Sequence, residues 1–140
     1  MDLIKNILLY IWQLPQNLIG LILTKLLKSE YRFEYGISYY AVNGFFNSAI
    51  SLGKYILIDN VYLLAREKVL ENVLKHGKGH SIQSKYLGWF YLFVIEIPSI
   101  VRNIYDRVLH KKWLLSDRMN WYYDHFPENW ADKLGGVNER

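Results

Sequence analysis

Cysteine is absent from all 140 residues. That removes a disulfide scaffold, a cysteine-built zinc finger and a thiolate nucleophile, and it is compatible with a reducing compartment. Proline is scarce, with three in the chain, and no linker, internal repeat or low-complexity tract divides it. Charged residues make up only 21% and aromatic ones 16%, a balance that excludes a disordered chain. Neither sign of charge dominates: 17 Lys and Arg against 13 Asp and Glu leave +4. That excess is too small and too dispersed for an electrostatic footprint on nucleic acid, and no such partner is expected. What the chain does have is apolar bulk, 51% of it, in a length that suits one domain over 1–140 with a real core.

Long apolar runs free of polar residues are missing as well. Residues 6–24 carry no charge, but Asn6, Gln13, Gln16, Asn17 and Thr24 interrupt them and Pro15 sits in the middle. A spanning helix needs about twenty mostly apolar residues. Residues 1–28 therefore predict a helical segment, bent at Pro15, that is either inserted in or laid on a membrane or buried as a hairpin. Tyr10 and Trp12 suit the headgroup level, and Lys25, Lys28 and Arg32 suit an anionic surface. No small-residue cleavage site follows, so a cleavable signal peptide is not expected. Residues 87–101 form a second apolar stretch with one charge, Glu96, and are expected to be a buried or lipid-dipping helix. Glu96 reads there as a buried carboxylate with a structural partner, or as a functional one.

The β signal is confined to residues 31–58. Tyr31 to Tyr35 alternates aromatic and charged types, Ile37 to Val42 is β-prone, and Lys54 to Ile58 is an apolar strand. Asn43-Gly44 has the composition of a hairpin turn, so two or three short antiparallel strands are expected. Helical spacing governs residues 61–86. The last expected helix covers 127–134, stopped by Gly135-Gly136. Arg102 to Lys112 reads as a mixed basic segment that faces solvent or lipid.

Four histidines are present, and two of them, His76 and His80, lie four apart on the 61–86 helix. That spacing puts both imidazoles on one face, where they can chelate one ion; a plain surface pair has the same spacing. Gly77 and Gly79 between them are costly inside a helix, about 1 kcal/mol each relative to Ala, and suggest close backbone approach. Glu128 and Asp132 are also one turn apart. Near a helix start such carboxylates often serve the helix dipole. Read together with the histidines, they complete a set: His76, His80 and Glu128 as ligands of a zinc ion, and Asp132 as the carboxylate that orients an imidazole. His110 and His125 have no comparable spacing. Ser81 and Ser84 lack a nucleophile elbow, and the glycines form neither a dinucleotide fingerprint nor a P-loop.

These two stretches resemble the gluzincin type of zinc metallopeptidase, in which an H-E-x-x-H helix is followed by a helix bearing E-x-x-x-D. More narrowly, HGKGHSIQSKYL (76–87), GWFYLFVIEIPS (88–99) and WADKLGGV (130–137) resemble a family of small bacterial proteins, found in Bacteroides-like genomes, that carry H-E-x-G-H-x-x-Q-S followed by Y-L-G. WQLPQN (12–17) and SLGKY (51–55) resemble the same family. The resemblance implies a bacterial, membrane-associated or cytoplasmic protein, a Zn²⁺ cofactor, and a peptide or protein as substrate or ligand. It also exposes a departure. Where the motif has its general-base Glu, this chain has Gly77, and a positioned base typically contributes about 10²–10⁴-fold. The expectation is an α+β, mostly helical domain with a small antiparallel sheet and a zincin-like helix pair. It would be metallopeptidase-like, bind metal, and be impaired in hydrolysis or inactive. The alternative is a metal-free structural or interaction module that docks to a membrane or partner protein.

Overall fold

The computed structural model describes residues 2–45 and 47–137; Met1, Phe46 and residues 138–140 of the expected 1–140 domain lie outside the described residues. The fold is α+β and mostly helical. In chain order the elements are α1 (Asp2–Trp12), α2 (Leu14–Leu26), β1 (Glu30–Glu34), β2 (Ile37–Val42), β3 (Ala49–Leu52), β4 (Tyr55–Asp59), α3 (Glu67–Leu87), α4 (Ile97–Leu109), α5 (Leu115–Tyr123) and α6 (Glu128–Gly135). A 3₁₀ turn (Asn60–Leu63) precedes α3, and a 3₁₀ turn (Gly88–Phe90) and a π-helical turn (Leu92–Glu96) join α3 to α4.

The sheet is mixed, in the order β1-β2-β4-β3, and so differs from the antiparallel one expected. β1 and β2 pair antiparallel, as do β3 and β4, but β2 and β4 run parallel, with Tyr40 opposite Leu57. Asn43-Gly44 is therefore not a hairpin. The two hairpin turns are Tyr35-Gly36, both at positive φ (53° and 73°), and Gly53-Lys54, with positive φ at the glycine. These are the backbone demands of primed turns, whose twist matches that of the flanking strands. After Gly44 the chain instead loops to the sheet edge, held there by Asp59. Its carboxylate accepts from Asn47 N at 2.8 Å and from Val61 N at 3.0 Å.

β4 is buried along its whole length, because both faces of the sheet are covered. Ile56 and Ile58 pack with Ile37, Tyr39 and Ala41 against Leu70 and Leu74 of α3. Tyr55 and Leu57 turn to the other side, with Val42, against Tyr10, Leu21 and Leu23 of the N-terminal helices. Period-2 alternation thus splits one apolar run between two layers. Each fully buried Leu or Ile stabilises by about 1.5–3 kcal/mol.

The helices depart from expectation in three places. α3 begins at Glu67 rather than Val61, after the 3₁₀ turn. The 87–101 segment is not one helix but the 3₁₀ turn, the π turn and the start of α4, which continues to Leu109 through most of the segment read as mixed and basic. Ile97, Ile100, Val101, Ile104 and Val108 carry the helical spacing across it. The N-terminal pair breaks at Gln13, not Pro15, which lies in the first turn of α2, where its missing N–H has no partner to lose.

Candidate metal centre

α3 and α6 meet through glycine. A Cβ on Gly79 would stand 1.8 Å from the Ala131 carbonyl oxygen, and one on Gly135 would stand 1.7 Å from that of Lys75. No other residue type permits this approach, which explains the helix-interior glycine at 79. The contact aims the first turn of α6 at the His76–His80 face. Glu128 is wholly buried there.

The structure brings together His76, His80, Glu128 and Asp132. His76 Nε2 lies 2.8 Å from Glu128 Oε2, His80 Nε2 lies 2.9 Å from the same oxygen, and the two Nε2 atoms are 3.1 Å apart. These three residues form a group whose ligand atoms are close enough to hold one metal ion. The outer nitrogens are also tied. His76 Nδ1 is 2.7 Å from Asp132 Oδ1, and His80 Nδ1 is 2.7 Å from Gln83 Oε1. Gln83 donates its Nε2 to Pro127 O at 3.1 Å, so the oxygen of its amide must face His80. Both Nδ1 atoms therefore carry the proton, and in the neutral imidazoles both Nε2 lone pairs point inward at a carboxylate oxygen. Three electron-rich atoms within 3.1 Å are satisfied either by a proton shared among them or by a metal ion in their midst. A tetrahedral site with bonds of about 2.0–2.1 Å sets its ligand atoms about 3.3 Å apart, a few tenths of an ångström wider than seen.

Charge follows from this geometry. Burial pulls the His76 imidazole down, but hydrogen bonds to Asp132 and Glu128 outweigh it and hold the group above its ordinary pKa. Burial pushes Glu128 up, and the hydrogen bonds and charges of His76 and His80 override it, leaving the carboxyl well below the usual range. Ser99 of α4 donates to Glu128 Oε1, and its own oxygen is 3.2 Å from the Tyr122 hydroxyl. The Tyr123 ring meets His76 edge-on, with centroids 5.1 Å apart.

Gly77 lines a cavity of about 80 Å³ beside the cluster, bounded also by His76, His80, Glu96, Ser99, Asn103 and Tyr122. A cavity of that size has room for a few waters or a small group of a substrate. Glu96 is buried at its wall. The Tyr91 hydroxyl lies 2.8 Å from Glu96 Oε2 and 2.7 Å from Ser51 O, and with one proton it donates to one of them at a time. Burial raises the Glu96 carboxyl to about 7, against the pull of His80 and of the Tyr91 hydrogen bond.

The remaining histidines lie elsewhere. His110 stacks on Trp113 and bonds Asp106, and His125 bonds Trp121 O. Sequence reasoning assigned no role to Gln83 or Ser99. Gln83 was open to it, three residues after His80 on the same helix; Ser99 becomes relevant only through the packing of α4 on α6. No family model, curated protein or solved structure matches the chain.

Proposed function

We propose that this protein is a membrane-associated, zinc-metallopeptidase-like protein that holds one zinc ion through His76, His80 and Glu128. The observation that carries the reading is the convergence of two Nε2 atoms and one carboxylate oxygen within 3.1 Å. Two imidazoles and one carboxylate leave a fourth position open, the composition of catalytic rather than structural zinc sites. Bound zinc supplies Lewis acidity, polarising a carbonyl and acidifying water. The chain's own residues orient it: Asp132 and Gln83 fix the imidazoles, and Ser99 holds the second oxygen of Glu128. Gly77 contributes no side chain, so proton transfer by the route of the gluzincin motif is missing and turnover is impaired. A peptide or protein is the substrate or ligand class this implies.

Membrane association is supported by an inverted distribution of residues. α2 buries Gln16, Asn17, Gly20 and Thr24 while Leu18, Ile19, Ile22 and Leu26 are exposed. α4 buries Ser99 and Asp106 and exposes Ile97, Ile100, Val101 and Ile104. Among the described residues no single helix is long and apolar enough to cross a membrane, whereas two bent helix pairs pass that test only together. The reading is therefore of helices laid against lipid.

Elemental analysis of protein purified without added metal tests the centre. About one zinc per chain is expected, lost in His80→Ala. A chelator should lower the melting midpoint, since a ligand at a hundred times its Kd stabilises by about 2.7 kcal/mol. Substoichiometric metal that His80→Ala leaves unchanged, with a midpoint indifferent to chelator, would replace this reading with the metal-free interaction module.

A further inference from the structure

Glu96 has one oxygen engaged and one without a protein partner. Oε2 is bonded to Tyr91, while no hydrogen bond or ion pair reaches Oε1 among the described residues. The residue is only 6% exposed, and the surface it does present lies in the wall of the cavity it shares with His76, Gly77 and His80. Oε1 is not sealed off as an unsatisfied buried atom; it is open to a water or a substrate group in that cavity.

Its placement is a product of the chain's least regular segment. Glu96 ends the π-helical turn Leu92–Glu96, a rare, wide helical geometry that is frequent at functional sites. Three residues on, Ser99 touches Glu128. Helical neighbours at this spacing share a face, with Cβ atoms about 5–6 Å apart, so Glu96 stands one turn from a residue in contact with the metal-ligand set. Tyr91 anchors it from the sheet side through Ser51 of β3. Gly77 lines the same cavity and brings no side chain to it, and a Cβ there would crowd Ile56 Cγ2 at 3.0 Å.

Building on the zinc-centre reading above, we propose that Glu96, delivered from the π turn rather than from α3, supplies the carboxylate that acts as general base and acid in this cavity. A water gives its proton to Glu96 Oε1 as its oxygen bonds to the carbonyl carbon of the scissile amide. The carbon–nitrogen bond then breaks, and Glu96 passes that proton to the leaving nitrogen, yielding one carboxylic acid and one amine. Tyr91 is a positioning residue that holds Oε2 so that Oε1 faces the cavity.

The test uses the full-length zinc-loaded protein and dye-labelled casein. Wild type is expected to hydrolyse slowly. Glu96→Gln, which still accepts from Tyr91, should bind zinc with affinity within threefold of wild type and lose at least about 100-fold in kcat with KM little changed. Adding Gly77→Glu to Glu96→Gln should restore hydrolysis, because a carboxylate re-enters the cavity; the retained zinc affinity and unchanged KM of Glu96→Gln itself are what a merely structural role would not give. If Glu96→Gln fails to fold, Glu96→Asp decides, since it keeps the charge, withdraws the oxygen by one methylene and should lose at least tenfold. Hydrolysis within threefold of wild type in the variant that folds, or zinc-loaded wild type with no hydrolysis at all, overturns the role of Glu96 and leaves the metal centre standing. Wild type that takes up no zinc overturns both.

Discussion

Two neutral histidines become ligands only if each keeps its proton on the outer nitrogen, and here different partners enforce that. Asp132 does so for His76 and the Gln83 amide oxygen for His80. Gln83→Leu removes the acceptor at nearly constant volume and frees the His80 tautomer, so zinc affinity should fall about 10–100-fold. Competition with a chromophoric chelator measures this, and an affinity unchanged within threefold would show that the tautomer is set elsewhere. Gly77→Glu bears on the missing base. Its Cβ would approach Ile56 Cγ2 at 3.0 Å, a contact that a small shift of the isoleucine relieves, so the variant should fold and hydrolyse casein faster than wild type. The four residues of the expected site could be read in the sequence because each pair repeats at one helical turn, a spacing with a geometric meaning. The contacts of Ser99 and Glu96 could not, since they arise from how α4 lies across α6 and the sheet.

At the scale of elements, the centre depends on how closely α3 and α6 approach. Alanine for glycine within a helix normally stabilises by about 0.5–1 kcal/mol. At Gly79 the added methyl overlaps the Ala131 carbonyl, so Gly79→Ala should instead destabilise by about 1–3 kcal/mol. Zinc should be lost with it, because Glu128 and Asp132 ride on the displaced helix; thermal melts with and without zinc read both effects. The sheet has its own fixed point in Asp59, whose carboxyl is held below its ordinary value chiefly by the Val61 backbone hydrogen bond, with burial opposing. A depressed pKa in the folded state means stability present above the unfolded value of about 3.9 and lost as pH falls below it. Asp59→Asn should therefore melt lower than wild type at pH 7, by about 1 kcal/mol, and the gap should close in acid. β2 and β4 were readable from composition, and α3 in its His-bearing part. The sheet order was not: Asn43-Gly44 has hairpin chemistry, but the open edge of β2 is taken by β4 in parallel, a choice made by burying β4 on both faces. α5 escaped notice for a similar reason, since it buries no residue and carries no apolar stripe.

Across the whole molecule Gln13, Gln16, Asn17 and Thr24 of the N-terminal segment are turned inward, while Leu18, Ile19, Ile22 and Leu26 of α2 face outward. Gln16 donates to both Ser84 Oγ and Gly88 O at 2.8 Å, Ser84 donates to Gln13 Oε1 at 2.6 Å, and Lys54 N donates to Asn17 Oδ1 at 2.7 Å. Three of the residues that interrupt the first apolar stretch, Gln13, Gln16 and Asn17, thus bind it to α3, its C-terminal turn and the sheet. Trp12 and Trp89 donate to the Lys85 and Ile11 carbonyls and fasten the bends of the two helix pairs together. Water is a poor solvent for the resulting exterior, in which Phe93 is 71% and Ile22 54% exposed, whereas the acyl boundary of a bilayer is a good one. Burying one such side chain gains about 1.5–3 kcal/mol, so Ile22→Asp with Phe93→Asp should weaken binding to phosphatidylcholine–phosphatidylglycerol vesicles at least about 100-fold. Zinc content should not change, since neither residue lines the cavity at the centre. Lys25 and Lys28 are exposed beside the same surface, so lowering the phosphatidylglycerol content or raising salt should weaken wild type further. Wild type that stays unbound in vesicle flotation would refute the lipid-facing assignment and leave the apolar exterior to a protein partner.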